Sequence, residues 1–490
     1  MYRSHVLVCG GTGCTSSGSQ QIIETLKAEL EKNGLSNEVS VVQTGCHGLC
    51  ALGPIMIVYP DAAFYSMVKV EDIPESHEEQ LPTGQIRLTA KTAHPGAVIK
   101  TLIEKNKSPK IATLPTFTGG LVGYFSYDYI KYSEPTLKLD AEDQEHFKDV
   151  DLMLFDKVIA YDNYRQKIVL MINIETENLE ENYEKAVQEL EKMEELIRFG
   201  KPAETKAGHL KSEFRPLFDE KAYCEKVEQV KHYIHEGDLF QLVLSNRLEA
   251  DFEGSLLDTY RVLRTTNPSP YMFYFSSDDV EIAGASPETL VKVEDGEVRT
   301  FPLAGTRPRG KSYEEDQRLE KELLADEKER AEHNMLVDLG RNDLGKICDF
   351  GTVEVEKYMS IERYSHVMHI GSTVKGQLRK DKTAVDAIDS VLPAGTLSGA
   401  PKLRACQIIN ELENNKRGIY GGAIGYLDFT GNMDTCIAIR LAFKKNGKVF
   451  VRSGAGIVAD SVPEKEHQEC INKAKAVMVA LAEAEGGSNL

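Results

Sequence analysis

From Leu217 to about Ala484, short strand-like and helix-like runs follow one another without settling into an alternating βα repeat. No other feature constrains the fold as much. A parallel sheet needs a long crossover, usually a helix, after each strand. Mixed runs of this kind therefore predict antiparallel sheets with helices set against them, an α+β architecture rather than a doubly wound one. The chain has 490 residues. That exceeds one ordinary domain, and about two or three are expected. A hydrophobic content of 41% is enough for sizeable cores.

The first part of the chain is organised differently. Residues 5–69 read strand, Gly/Ser loop, helix, strand, loop, strand, strand, and the helix over 17–32 carries Ile22, Ile23, Leu26 and Leu30 at helical spacing. Gly34 lies just past its end, where helices commonly stop. The polar stretch 71–84 reads as a junction. A short helix is expected over 95–104, a turn feeding a strand over 117–124, two strands around Asp162-Asn163 within 151–175, and an acidic amphipathic helix over 179–199. The polar segment 201–216 reads as a linker or surface crossing. The domains expected are thus 1–75, 76–200 and 215–485.

Charge narrows the partners. Lys and Arg number 58 against 77 Asp and Glu, a net charge of −19. That opposes nucleic acid or an anionic membrane as partner. An anionic substrate would need a local positive site or a metal. No apolar run approaches the roughly 18 residues of a membrane span, and Met1-Tyr-Arg leads straight into strand-like residues rather than a signal peptide. A cytoplasmic enzyme is expected.

Chemistry-bearing residues cluster in the second half of the chain. Pro393-Ala-Gly-Thr-Leu-Ser-Gly-Ala-Pro-Lys402 is too punctuated by Gly and Pro for a helix or strand, and its backbone N–H groups can face an anion. Ala304-Gly305-Thr306 offers similar donors, and Gly454-Ala455-Gly456 permits close approach. Glu329 and Glu332 are three apart on one helical pattern running from Leu319 to Leu339, so they share a face. Glu466 and Glu469 repeat the spacing, with Lys473 one turn on and Pro463 suited to the first turn. Two such helices could enclose a hard cation such as Mg²⁺, which keeps substrate and water in its sphere. Taken singly, a Glu pair in so acidic a chain is a solvated helix face. Arg440 interrupts the apolar run Ile-Ala-Ile-Arg-Leu-Ala and needs an anion, either an internal carboxylate or a ligand.

Four of the nine cysteines fall in the first 50 residues, as Cys9-x4-Cys14 and Cys46-x3-Cys50, among Gly10, Gly11, Gly13, Gly45 and Gly48. Four thiolates from two loops suit an iron–sulfur cluster, with glycine letting amides approach the sulfides. Zinc is the rival, although its cysteine pairs come in tighter loops. Four unrelated thiols is the plainest alternative. A disulfide frame is disfavoured without a secretory signal. The other five, Cys224, Cys348, Cys406, Cys436 and Cys470, read as buried thiols.

Taken together, Phe301–Gly310, Glu332–Asp343, Pro393–Lys402, Asp434–Arg440 and Gly454–Glu469 resemble the component I family of anthranilate synthases, among the chorismate-utilising enzymes. The resemblance begins near Gln85 and is strong from Phe117 onward. It implies a layered sandwich of antiparallel sheets flanked by helices. It implies that Glu332 and Glu469 bind Mg²⁺, supported by Glu329 and Glu466. By the same resemblance Arg440, Thr396, Tyr420, Gly456 and Lys473 hold the two carboxylates of chorismate, with Ala304, Gly305 and Gly454 lining the site. His369 matches the family's acid/base, Thr306 stands beside it in the catalytic set, and Glu288 is the candidate acid for the departing hydroxyl.

The subfamily rests on two positions. Isochorismate and salicylate synthases carry Lys where Gln241 stands, and many aminodeoxychorismate synthases carry a nucleophilic Lys at Ala304. With neither, the resemblance implies ammonia as nucleophile and anthranilate as product. No glutaminase motif is visible, so a partner glutamine amidotransferase subunit is expected. Aminodeoxychorismate synthase, which makes the para isomer, is the near rival.

Residues 1 to about 75 resemble a second family, the thioredoxin-like [2Fe-2S] ferredoxin domain of NADH dehydrogenase and hydrogenase flavoprotein subunits. This implies a cluster on Cys9, Cys14, Cys46 and Cys50, and the chain reads as a fusion of two unrelated modules. A rival of another class is therefore an electron-transfer subunit with an inert chorismate domain. The component I family's Leu-Leu-Glu-Ser motif, half of a tryptophan feedback site, is not found. The other half matches Asn267, Pro268, Ser269, Tyr271 and Met272, in a loop whose prolines also have a purely structural reading. Weak or absent inhibition by tryptophan is expected.

Overall fold

The computed structural model describes residues 4–9, 18–44, 56–59, 63–65, 75–81, 85–202, 205–364 and 367–485. The chain divides into two compact units, Met1–Val98 and Ile99–Leu490, and the division falls within the helix Pro95–Lys105.

In the first unit, strand Ser4–Cys9 pairs in parallel with Val39–Thr44 and antiparallel with Met56–Tyr59, which pairs in turn with Ala63–Tyr65. The parallel pair requires a crossover, and helix Ser19–Lys32 supplies it. Its Ile22 and Ile23 are buried with Val6 and Val8 of the first strand. Element order and type are those expected, a small α/β domain of thioredoxin-like kind. The stretch read as a polar junction instead forms a hairpin, Glu75–Gln80 against Ile86–Lys91. Its first strand, Glu-Ser-His-Glu-Glu-Gln, has no apolar residue, so no alternation marks it in the sequence.

The second unit is a sandwich of two sheets in which every ladder is antiparallel. One sheet runs His209–Leu210, Gln241–Glu253, Lys448–Ile457, Leu441–Lys445, Glu281–Ser286, Tyr271–Ser276, with Arg215–Pro216 and Gly399–Ala400 also paired to the long Gln241–Glu253 strand. The other runs Leu303–Pro308, Val367–Gln377, Glu297–Thr300, Thr289–Glu294, Met433–Ile437, Ala423–Asp428, Gly120–Phe125, Val150–Phe155, with Glu354–Arg363 also on Val367–Gln377. Their facing sides share one core. Phe275, Ile282, Phe443 and Phe450 of the first sheet meet Tyr124, Val291, Val298 and Ile424 of the second.

Helices cover the outer face of the first sheet. Helices Glu220–His235 and Lys402–Glu413 lay Val227, Val230, Ile408 and Ile409 on Leu242, Leu244 and Ile457. Helices Leu257–Thr266 and Pro463–Glu483 lay Val262, Leu263, Val477 and Leu481 on Leu248, Ala250 and Phe252. Among the described residues no helix is long and apolar enough to cross a membrane.

Two further expectations need correction. The helical pattern from Leu319 to Leu339 is two helices, Tyr313–Ala325 and Glu327–Gly345. Asp326 breaks it, because its carboxylate accepts from the backbone N–H groups of Lys328 and Glu329 and so caps the second helix. Residues 151–175 hold parts of three strands, not two. Val150–Phe155 joins the large sheet, whereas Lys157–Asp162 and Lys167–Ile172 form a separate hairpin. The helix Leu179–Phe199 stands as predicted.

Candidate active site

Two places where the chain crosses between the sheets carry the central residues. Glu288 lies between Ser286, the end of a strand in one sheet, and Thr289, the start of one in the other. Arg440 lies between Ile437 and Leu441 on the return crossing. The crossings are hydrogen-bonded to each other, Ile437 N–H to the Glu288 carbonyl and Ala285 N–H to the Arg440 carbonyl.

Arg440 holds a left-handed backbone, φ 54°, a conformation that disfavours residues with a side chain. Its guanidinium is largely buried, and burial pulls its pKa down. Its one hydrogen bond is a long one, 3.3 Å to the Lys473 carbonyl, and among the described residues no carboxylate pairs with it. Of the two partners weighed for Arg440, the internal one is absent.

Glu288 is half-buried and faces the Pro393–Lys402 loop. The loop makes one 3₁₀ turn, Gly395–Leu397, and the Thr396 hydroxyl donates to Glu288 Oε1 at 3.0 Å. Burial raises the Glu288 carboxyl to about 7, with the Thr396 hydrogen bond and the Lys473 charge opposing. Such a group can carry a proton at neutral pH.

Across the site, strand Leu303–Pro308 breaks register against Val367–Gln377 between Ala304 and Arg307, with Gly305 at φ 65°. The bulge turns the Gly305 carbonyl to His369 Nδ1 at 2.8 Å, and Thr306 Oγ1 lies 3.1 Å from the same nitrogen. A carbonyl only accepts, so Nδ1 carries the hydrogen and Nε2 is left with its lone pair. Burial holds the imidazole below its usual pKa, the Gly305 contact opposes, and the Arg440 charge adds to the lowering. His369 is thus a neutral base at pH 7.

Lys473 donates to the Gly454 carbonyl at 3.0 Å and pairs with Glu469 at 2.7 Å. Tyr420 is buried, and its ring oxygen and Glu469 act on Arg440. Gly456 faces Val243 across the ladder. A Cβ there would come 2.7 Å from Gln241 Nε2, so the position admits only glycine without displacing Gln241.

The acids form two pairs that share one locality. Gln241 Nε2 donates to Glu332 Oε1 at 3.0 Å, while the buried Gln241 Oε1 has no hydrogen-bond partner. Burial raises the Glu332 carboxyl and Glu329 adds to it. Burial raises Glu466, and Glu469 adds to it. Lys328 and Lys473 lower both. Among the described residues no three carboxylate, His or Cys groups converge as a closed ligand set. Glu332 and Glu466, raised by burial and by the carboxylate beside each, suit a divalent cation that takes its remaining oxygens from substrate and water.

The expected effector residues stand apart from these contacts. Asn267 ends helix Leu257–Thr266, Ser269 bonds back to the Asn267 carbonyl, and Met272 packs in the core behind the sheet. Tyr271 hydroxyl bonds Thr289 at 2.9 Å and Asp434 at 2.7 Å. Of the N-terminal cysteines, Cys9 is buried at the end of its strand, and Cys14, Cys46 and Cys50 lie outside the described residues. Cys348, Cys406, Cys436 and Cys470 are buried as expected, and Cys224 is half-buried.

A chorismate binding enzyme family model matches residues 67–479. Anthranilate synthase component 1 of Acetivibrio thermocellus is 49% identical over 399 residues, 80% of this chain and 81% of that one. This chain belongs to the anthranilate synthase component I family of chorismate-binding enzymes. The family's Aquifex aeolicus member is 46% identical over 438 residues, 88% of this chain and 87% of that one. The crystal structure of anthranilate synthase component I from Streptococcus pneumoniae superposes with a TM-score of 0.70 at 40% identity, covering 83% of this chain and 90% of that one. A thioredoxin-like [2Fe-2S] ferredoxin model matches residues 1–79, a region beside the component I match and overlapping it only at its edge.

Sequence reasoning missed one part of the site's support. Glu413, Arg417 and Arg452 are buried together behind it. Arg452 could have been noticed, because it stands in Val449-Phe-Val-Arg452, as Arg440 does in its own apolar run. Arg417 follows Asn-Asn-Lys and reads as surface.

Proposed function

We propose that this chain is the chorismate-converting subunit of an anthranilate synthase, turning chorismate and ammonia into anthranilate and pyruvate with Mg²⁺, as the first step towards tryptophan. Arg440 carries the reading. A largely buried guanidinium with no carboxylate paired to it among the described residues, in a strained backbone, is a site built for an anionic ligand. Thr396, Tyr420, Lys473 and the amides around Gly454 and Gly456 complete a surround for two carboxylates. The ammonia comes from a partner glutaminase subunit, since free NH₃ is scarce at neutral pH.

Two proton-moving groups then act in turn. As ammonia bonds to C2, the C4–O bond breaks, and Glu288, protonated at neutral pH, gives its proton to the departing hydroxyl, which leaves as water. In the second step the C2–H proton goes to His369 Nε2 while the C3–O bond to the enolpyruvyl group breaks. The ring becomes aromatic, and the departing enolpyruvate takes up a proton and tautomerises to pyruvate. The Gly305 carbonyl and Thr306 hold the imidazole in the tautomer this needs. Glu332 and Glu469, backed by Glu329 and Glu466, would hold Mg²⁺, which when bound supplies a Lewis acid and an anchor for a substrate carboxylate. Neither Gln241 nor Ala304 can act as the lysine that related synthases use there.

The test is turnover of chorismate with Mg²⁺ and ammonium, followed by anthranilate fluorescence. Fluorescence that vanishes with EDTA is expected. Formation of the para isomer, or chorismate left untouched, would overturn the reading.

A further inference from the structure

Arg417 joins three elements that carry site residues without itself reaching the site. Its Nη1 donates to the Leu397 carbonyl at 2.5 Å, next to Thr396. Its Nη2 donates to the Val243 carbonyl at 2.7 Å, two residues along the strand from Gln241. Its guanidinium lies 4.6 Å from the Tyr127 ring and 5.8 Å from the Tyr420 ring. The planar fork suits this, since it donates in several directions while its faces stay free to stack.

The ion cluster around Arg417 is not balanced one to one. Glu413 accepts from Arg417 Nε at 2.9 Å and Nη2 at 2.6 Å, from Arg452 Nη2 at 2.7 Å, and from the Ser245 N–H and hydroxyl at 2.8 and 2.9 Å. Arg452 also donates to Ser245, Asn415 and the Lys416 carbonyl. Arg417, Arg452 and Glu413 are each 2% exposed. Two guanidiniums therefore share one buried carboxylate. A cluster built only for stability would match its charges, because an excess charge at depth is costly. Arg452 with Ser245 already satisfies Glu413. What Arg417 adds is the tie to Leu397, Val243 and Tyr420, and a positive charge behind a pocket that takes an anion.

We propose that Arg417 is a positioning residue for chorismate. It holds the Thr396 turn, the Gln241 strand and Tyr420 in one arrangement, and its charge favours the dianionic substrate. This rests on the function proposed above, and wild-type turnover tests that function separately. If the wild type makes no anthranilate, the function fails. If it does, the variants decide the positioning role.

Arg417→Met leaves Glu413 paired with Arg452, so no buried charge is stranded. Arg417→Lys keeps the charge and loses the fork. Folding is checked by circular dichroism and thermal melting. With charge-assisted bonds lost at the Leu397 and Val243 carbonyls, R417M is expected to raise KM for chorismate about tenfold or more. Its kcat should fall less than its kcat/KM, and R417K should recover part of the loss. Thr396→Val should lose much of its own effect in the R417M background, because both disturb the same turn. Folded variants with wild-type KM, or strictly additive effects with Thr396→Val, would overturn the proposal. If neither variant folds, Arg417 is a structural residue and the proposal falls.

Discussion

At the scale of single residues, the site is marked by groups the fold tolerates at a cost. Burial lifts Glu288 from 4.5 to about 7. The folded-state value lies above the unfolded one, so its contribution to stability is complete in acid and lost as pH rises through about 7. Glu288→Gln is therefore expected to melt higher than wild type at pH 8, while losing about 10²–10⁴-fold in kcat. A variant that loses neither would remove Glu288 from the mechanism. The wild-type pH profile follows from the same signs. With rates referred to free ammonia, kcat/KM should rise as His369 loses its proton at a value below 6.5, and fall above about 7 as Glu288 loses its own. Arg440 is a second such residue. Replacing it by Gly relieves a left-handed backbone worth roughly 1–2 kcal/mol and removes a buried unpaired cation. Arg440→Gly should melt higher than wild type and bind chorismate far more weakly, seen as a raised KM. A lower Tm with unchanged KM would show that Arg440 serves the fold instead.

At the scale of elements, legibility followed periodicity. Helix Leu179–Phe199 and the acid pairs three residues apart could be read directly, because spacing on a helix fixes a shared face. The break at Asp326 could not, because apolar spacing carries across a cap that costs it no apolar position. The third strand near 150–172 was hidden because its corner is the single residue Asp156, between Phe155 and Lys157, with no Gly or Pro to mark it. The tie from Arg417 to Leu397 was out of reach, since it joins residues distant in sequence and uses backbone carbonyls. What the helices do with their acids is open to experiment. Glu332 and Glu466 are each raised by burial and by a like-charged neighbour, so a divalent cation bound between helices Glu327–Gly345 and Pro463–Glu483 should stabilise the folded state by mass action. Mg²⁺ is expected to raise the Tm of the wild type in the absence of substrate. The shift should shrink or vanish in Glu332→Gln and Glu469→Gln. Equal shifts in all three proteins would take these acids out of the metal site.

At the scale of the whole molecule, the question is what a ferredoxin-like unit does on a chain of this family. The proposed reaction gives an answer from its own balance. Ammonia is added, water and pyruvate leave, and the ring becomes aromatic by elimination. No electron enters or departs, so a cluster held by Cys9, Cys14, Cys46 and Cys50 would have no step to serve. Coupling through structure would need a second arrangement of the catalytic unit whose population the redox state shifts. We therefore expect iron-reconstituted protein to show visible absorption that dithionite bleaches, with the same rate of anthranilate formation before and after bleaching. Substituting Ser for Cys9 should abolish the absorption and leave that rate intact. A rate that follows the bleaching, and no longer does so in the Cys9→Ser protein, would instead make the first unit a redox regulator of the second.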